Sequence, residues 1–237
     1  MAEVTHVDRE SLPVERNPRK LTILEFRRLL GLPESTELPG LLELPDNFFL
    51  PKSYLGNLEE AVYQSQVSNR EFSQRIDWMG KVEVQKLLKG GESSAKAGFN
   101  RRGNGLVYYH THLGGLGFSE VDVAFMLVRQ KGLIEGAARL FGGLEFGIDI
   151  LLATRDSDRL GGNLIQAFKN KLIIERDLKR NDFAFLDDDM QAEILGSYGL
   201  GYYRALGENR GGWQLISTKI LFKDGGLKFA RITAKNE

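Results

Sequence analysis

Two of the three histidines in this 237-residue chain, His110 and His112, stand two positions apart inside the stretch GLVYYHTHLGGLGFSEVD. On an extended strand, residues i and i+2 face the same way, so two imidazoles are expected side by side with Thr111 pointing away. That pair is a two-tooth metal ligand. A carboxylate in reach completes a set: Asp122 follows in Ser119-Glu120-Val121-Asp122, beyond a turn rich in glycine. Two histidines, one carboxylate and a fourth position for water make up the ligand set of a catalytic zinc site.

The elements that must position these groups are legible around them. Leu106, Val107, Tyr108 and Tyr109 are β-branched or aromatic and predict a strand, while Gly114, Gly115 and Gly117 predict a loop. A helix is expected from Ser119 towards Gly132, with Val121, Ala124, Phe125 and Val128 at helical spacing. A short turn between the two brings the first helical turn back over the strand end. Ser119 and Asp122 equally fit a capping box, in which each side chain satisfies an orphan backbone N–H of the helix start. Both readings stand at this level.

The histidine count narrows the metal families. The third histidine, His6, is far away in the chain, so folds that add further histidines downstream are excluded. H-T-H, a glycine-rich turn and S-x-x-D resemble the JAB/MPN (JAMM) metalloproteases, whose signature is H-x-H, a short loop and S-x-x-D, with a glutamate on a strand upstream. The chain has Leu113 where members commonly have proline, and six residues from Leu113 to Phe118 where they commonly have seven. The resemblance covers about residues 55–160. It implies a cytidine-deaminase-like three-layer fold with one zinc per chain at the end of a central strand. The implied ligands are His110, His112 and Asp122, with Ser119 donating to the oxyanion. It also implies hydrolysis of peptide or isopeptide bonds in a peptide or protein substrate, a ubiquitin-like modifier among the candidates.

Such chemistry needs a general base, because a carboxylate must take the proton of the attacking water and hand it to the leaving amine. Glu71 opens the first strand after a helix, where the resemblance places the catalytic glutamate; Glu59, Glu60, Glu83 and Glu92 are the competitors.

Composition sets the outer bounds. With 32 basic and 32 acidic side chains the chain has no electrostatic footprint for nucleic acid. No apolar run is long enough for a membrane span, and the first residues, MAEVTHVDRESLPVERN, have no apolar core for a signal peptide, so a cytoplasmic protein is expected. The absence of cysteine excludes thiolate zinc sites and disulfides.

All six prolines lie in the first 51 residues, which divides a Pro-rich N-terminal arm, residues 1–54, from a main domain, residues 55–237. Within the arm Thr22 and Glu25 suggest the cap of a short helix with Ile23, Phe26 and Leu30 on its inner edge, and the rest reads as extended chain packed along the main domain. A helix capped by Asn57, with Glu60 at its third position, is expected to end near Ser68, and a two-stranded unit turning at Gly80 is expected next. Residues 93–105 read as a basic, glycine-rich loop able to cover substrate. GLIEGAARLFGG reads as a loop or short helix, LEFGIDILLATRD as a buried strand, and residues 186–199 as a helix; in residues 163–178, Leu164, Phe168 and Leu172 favour a helix, while Leu172-Ile173-Ile174 also suits a strand. The two alternating runs around Asp224-Gly225-Gly226 signal a C-terminal β-hairpin. Strands interleaved with helices give an α/β or α+β layered domain with a mixed sheet flanked by helices. Two alternatives to a protease remain: an inert JAB/MPN-type binding scaffold, and a metal hydrolase of a small amide.

Overall fold

The computed structural model describes residues 18–92, 105–113, 117–128, 132–140, 146–158, 164–205, 215–216, 219–220 and 225–234. In chain order the elements are α1 (Pro18–Leu29), β1 (Asn47–Pro51), α2 (Leu58–Ser68), β2 (Phe72–Trp78), β3 (Val82–Val84), β4 (Leu88–Lys89), β5 (Gly105–His112), α3 (Glu120–Leu127) and β6 (Ile134–Leu140). Then come β7 (Phe146–Leu152), α4 (Arg155–Asp158), α5 (Leu164–Arg180), α6 (Asp188–Ser197), β8 (Gly201–Ala205), β9 (Leu215–Ile216), β10 (Lys219–Ile220) and β11 (Gly226–Arg231).

One mixed sheet runs in the order β1-β11-β8-β7-β6-β5-β2-β3, with β4 also on β2, and β9 and β10 pair separately. Its neighbours are antiparallel except β5 and β6. A parallel pair needs a crossover, and α3 lies within the one joining β5 to β6. That topology carries Asp122 back over the histidine strand.

Directly paired residues share a face, so Ser73, His110, Ala137, Asp149 and Arg204 form one row across the sheet. Over that face lie α3, which brings Asp122 to His110, and α6, which brings Asp188 to Arg204. Helix α5 packs on α3. On the other face α2 meets β5, where Ser65 bonds to Thr111. Helix α1 packs against β1, β2 and β5, strands far apart in the order, which a curled sheet allows. Phe26, Leu50, Leu58, Ile76, Phe118, Leu151 and Phe229 belong to one core, so α1 and β1 from the Pro-rich part bury their apolar side chains with the rest. No helix among the described residues is long and apolar enough to cross a membrane.

The strand 105–112, helices α2, α5 and α6, and the turn at Gly80 with φ +80° all form as expected. Four expectations are corrected. GLIEGAARLFGG supplies strand β6 rather than a loop or helix: Gly136 lies opposite Tyr109, and a Cβ there would stand only 3.3 Å from that of Tyr109. The tight approach of Tyr109 suits a small residue there despite its low strand propensity. Pro18 already belongs to helix α1, so Thr22 and Glu25 lie buried inside the helix rather than at its cap. The Asn57 side chain makes no cap; its backbone N–H donates to Gln74 Oε1 at 2.7 Å. Helix α3 ends at Leu127 and buries Val123, Ala124, Met126 and Leu127, leaving Val121 45% exposed. Gly225 takes the positive φ of a turn, +72°, and β11 beyond it pairs with β8 and β1; the run leading into the expected hairpin, residues 221–224, lies outside the described residues. Strand β8 was not anticipated. His6, Gly114, Gly115 and most of the basic loop, residues 93–104, lie outside the described residues.

Candidate metal centre

His110 and His112 project from the last turn of the β5 pleat onto one face, their ring centroids 4.5 Å apart. Their Nε2 atoms are 2.7 Å apart, which is a hydrogen bond between one ring's N–H and the other's bare nitrogen. Asp122 closes the group: Oδ1 lies 3.3 Å from His110 Nε2, and Oδ2 lies 3.3 Å from His112 Nε2. All three residues are buried, and one ligand atom from each falls within 4.8 Å of the others. His110 is sealed at 1% exposure, whereas the His112 and Asp122 side chains keep 12% and 9%, so solvent reaches the group from the outer strand end.

The donor set fits a four-coordinate zinc. With bonds of about 2.0–2.1 Å to nitrogen and oxygen, adjacent ligand atoms of a tetrahedron stand about 3.3 Å apart. Each histidine stands at that edge length from Asp122, but from a different oxygen of the carboxylate. The two imidazoles are closer and would part by about 0.6 Å to receive the ion.

The capping box is present as well. Asp122 N–H donates to Ser119 Oγ at 3.3 Å, Ser119 N–H donates to Asp122 Oδ2 at 3.0 Å, and the Ser119 hydroxyl donates to the same oxygen at 2.7 Å. Capping and metal binding are therefore not competitors for Asp122. The cap holds the carboxylate in the orientation that faces the histidines, the usual duty of a group hydrogen-bonded to a ligand.

Glu71 immediately precedes β2 and is 8% exposed. Continuing the pairing of Ser73 with His110 by two residues sets Glu71 opposite His112, on the face that the histidines occupy. The competing glutamates are elsewhere. Glu59 pairs with Lys52 at 2.9 Å, Glu60 is exposed and accepts from Gln64, Glu83 stands on the edge strand β3 opposite Asp77, and Glu92 is exposed beyond β4.

A further carboxylate escaped the sequence reading. Glu135 of β6 is fully buried and paired with Tyr108, which sets it on the histidine face one row from His110. Strand parity would have found it had residues 134–140 been read as a strand. A cleft of about 210 Å³ is lined by Ser73, which pairs with His110, and by Arg75, Gln85, Lys86, Leu88 and Tyr108, but by neither histidine nor Asp122.

No family model, curated protein or solved structure matches this chain, so its residues alone carry the functional argument.

Proposed function

We propose that the chain is a zinc-dependent hydrolase of peptide or isopeptide bonds, of the kind the JAB/MPN metalloproteases represent. The observation that carries the reading is the convergence of His110 Nε2, His112 Nε2 and the Asp122 carboxylate on one point at the end of β5. These three side chains would hold the ion, which when bound lowers the pKa of water and polarises a carbonyl oxygen. Glu71, on the same face opposite His112, takes the proton of the attacking water and passes it to the leaving amine. The Ser119 hydroxyl, now on Asp122 Oδ2, stands at the site's rim and donates to the oxyanion once it turns from that carboxylate. The partner is a peptide or protein chain, a ubiquitin-like modifier among the candidates.

The cleft of about 210 Å³ that Ser73, the partner of His110, helps to line favours one second reading, hydrolysis of a small amide, because that volume takes a single side chain or a compact amide. The test presents the zinc-loaded protein with a quenched-peptide library, isopeptide-linked conjugates and small N-acyl amides. Cleavage lost on chelation and regained with zinc is expected for the first two classes. Turnover confined to small amides moves the assignment to the second reading, and no zinc-dependent turnover of any class rejects both.

A further inference from the structure

The residue between the two ligands has a partner of its own. Thr111 points away from the metal centre and is fully buried; its hydroxyl accepts the Phe72 N–H at 2.9 Å and hydrogen-bonds with the Ser65 hydroxyl of α2. Phe72 is the residue after Glu71. The ladder between β2 and β5 reaches Ser73 and His110, so Glu71 and His112 both lie past its last pair, where strand ends open most easily.

Glu71 is secured on its outer side by its own backbone. Its N–H donates to Gly91 O at 2.8 Å, and its carbonyl accepts from Gly90 N–H at 2.7 Å. Those backbone bonds tie it to the sheet edge. The Phe72 to Thr111 bond links the next residue to β5, and it ends on the side chain flanked by both ligands. Ser65, fully buried six residues before Glu71, joins the helix that leads into this segment to the same hydroxyl. Valine has the same shape as threonine and suits a strand equally well, so packing alone does not ask for a hydroxyl at position 111.

We infer that Thr111, backed by Ser65, is a positioning residue that fixes Glu71 relative to the His110–His112 pair. The inference rests on the proposed function, since the distance matters only if Glu71 moves a proton; a misplacement of about 1 Å can cost about 100-fold in rate.

The test compares Thr111→Val, Thr111→Ser and the unmutated protein, all zinc-loaded, well below their melting temperatures. Thr111→Val should keep about one zinc per chain and exchange its Phe72 amide about 10-fold faster or more. It should lose about 10- to 100-fold in kcat, with KM nearly unchanged and the acid limb of the pH profile displaced. Thr111→Ser should restore all of these. If Thr111→Val does not fold, Ser65→Ala takes its place, with the same changes at about 3- to 10-fold. Unchanged Phe72 exchange overturns the inference, and so does faster exchange with kcat and pH profile intact. An unmutated protein that holds zinc but cleaves nothing removes the proposed function instead, an outcome read without any variant.

Discussion

Asp149 and Arg204 stand in the same cross-sheet row as His110, with Arg204 three strands away, about 14 Å at ordinary strand spacing. There Arg204 Nε donates to Asp149 Oδ1 at 2.7 Å, and its Nη2 donates to Asp188 Oδ1 of α6, also at 2.7 Å. Nη2 also donates to the Tyr202 hydroxyl at 3.2 Å, and that hydroxyl donates on to Asp149 Oδ2 at 3.3 Å. Burial alone would lower the Arg204 pKa, but the bond to Asp188 and the charge of Asp149 raise it above its ordinary value. The cluster brings its own cation, and each of these donors meets an acceptor. At the other end of the row two imidazoles and a carboxylate gather, all groups that offer lone pairs to a metal. Both clusters tie a strand to a covering helix. A resident cation distinguishes the two: Arg204 already serves Asp149 and Asp188, whereas His110, His112 and Asp122 gather donor atoms that could hold a metal ion.

Substitutions can break this contrast. The largest effect is expected for Asp122→Ala, which removes a ligand and should weaken zinc binding more than about 100-fold by competition with a chromogenic chelator. Its capping loss adds only about 1 kcal/mol. Glu71→Gln keeps shape and hydrogen bonding but cannot accept a proton, so turnover should fall about 100-fold or more with zinc retained. Glu135→Gln, assayed in parallel, should leave turnover within about threefold if Glu71 is the base. A reversal of that order would transfer the role to the buried carboxylate of β6.

At the other cluster Arg204→Met strands Asp149, which is fully buried, and should lower stability by about 3 kcal/mol in urea melts while zinc content stays at one per chain. If Arg204→Met loses its zinc as Asp122→Ala does, the two clusters are one unit and the contrast fails.

The smallest effect concerns pH. Burial raises the pKa of Tyr109 near the site and of Tyr203 at the far strands, and burial together with the Glu25 bond raises that of Tyr54. A raised folded pKa contributes stability that is complete below the unfolded value of about 10 and is lost as pH rises beyond it. Stability should therefore drop by about 2 kcal/mol between pH 9 and 10.5, in one transition if both regions share a core. Two transitions would separate them.

How far the sequence disclosed this depended on whether a signal was local. The H-x-H parity, the Ser119 cap and the first turn of α3 are set within a few residues of each other, and each stands where the spacing predicts. Glu71 was readable as the start of a strand, although its place opposite His112 needed the register of β2 on β5. What was missed depended on distant partners. Gly136, Ala137 and Ala138 look unlike a strand until β5 and β7 close on both edges. Nothing local says that β11 inserts between β8 and β1. Val121 fits a helical stripe, but the side of α3 that faces the sheet is fixed by where Asp122 must point. Thr111 pointed away as parity required, while its bond to Phe72 was invisible without the neighbouring strand.

The most direct test of the central claim is the zinc content of the purified chain after gel filtration, measured beside His112→Ala by elemental analysis. The account predicts about one zinc per unmutated chain and less than about a tenth in the variant. An unmutated chain below a tenth of an equivalent that added zinc does not raise, or a variant that holds as much zinc as its parent, would contradict it.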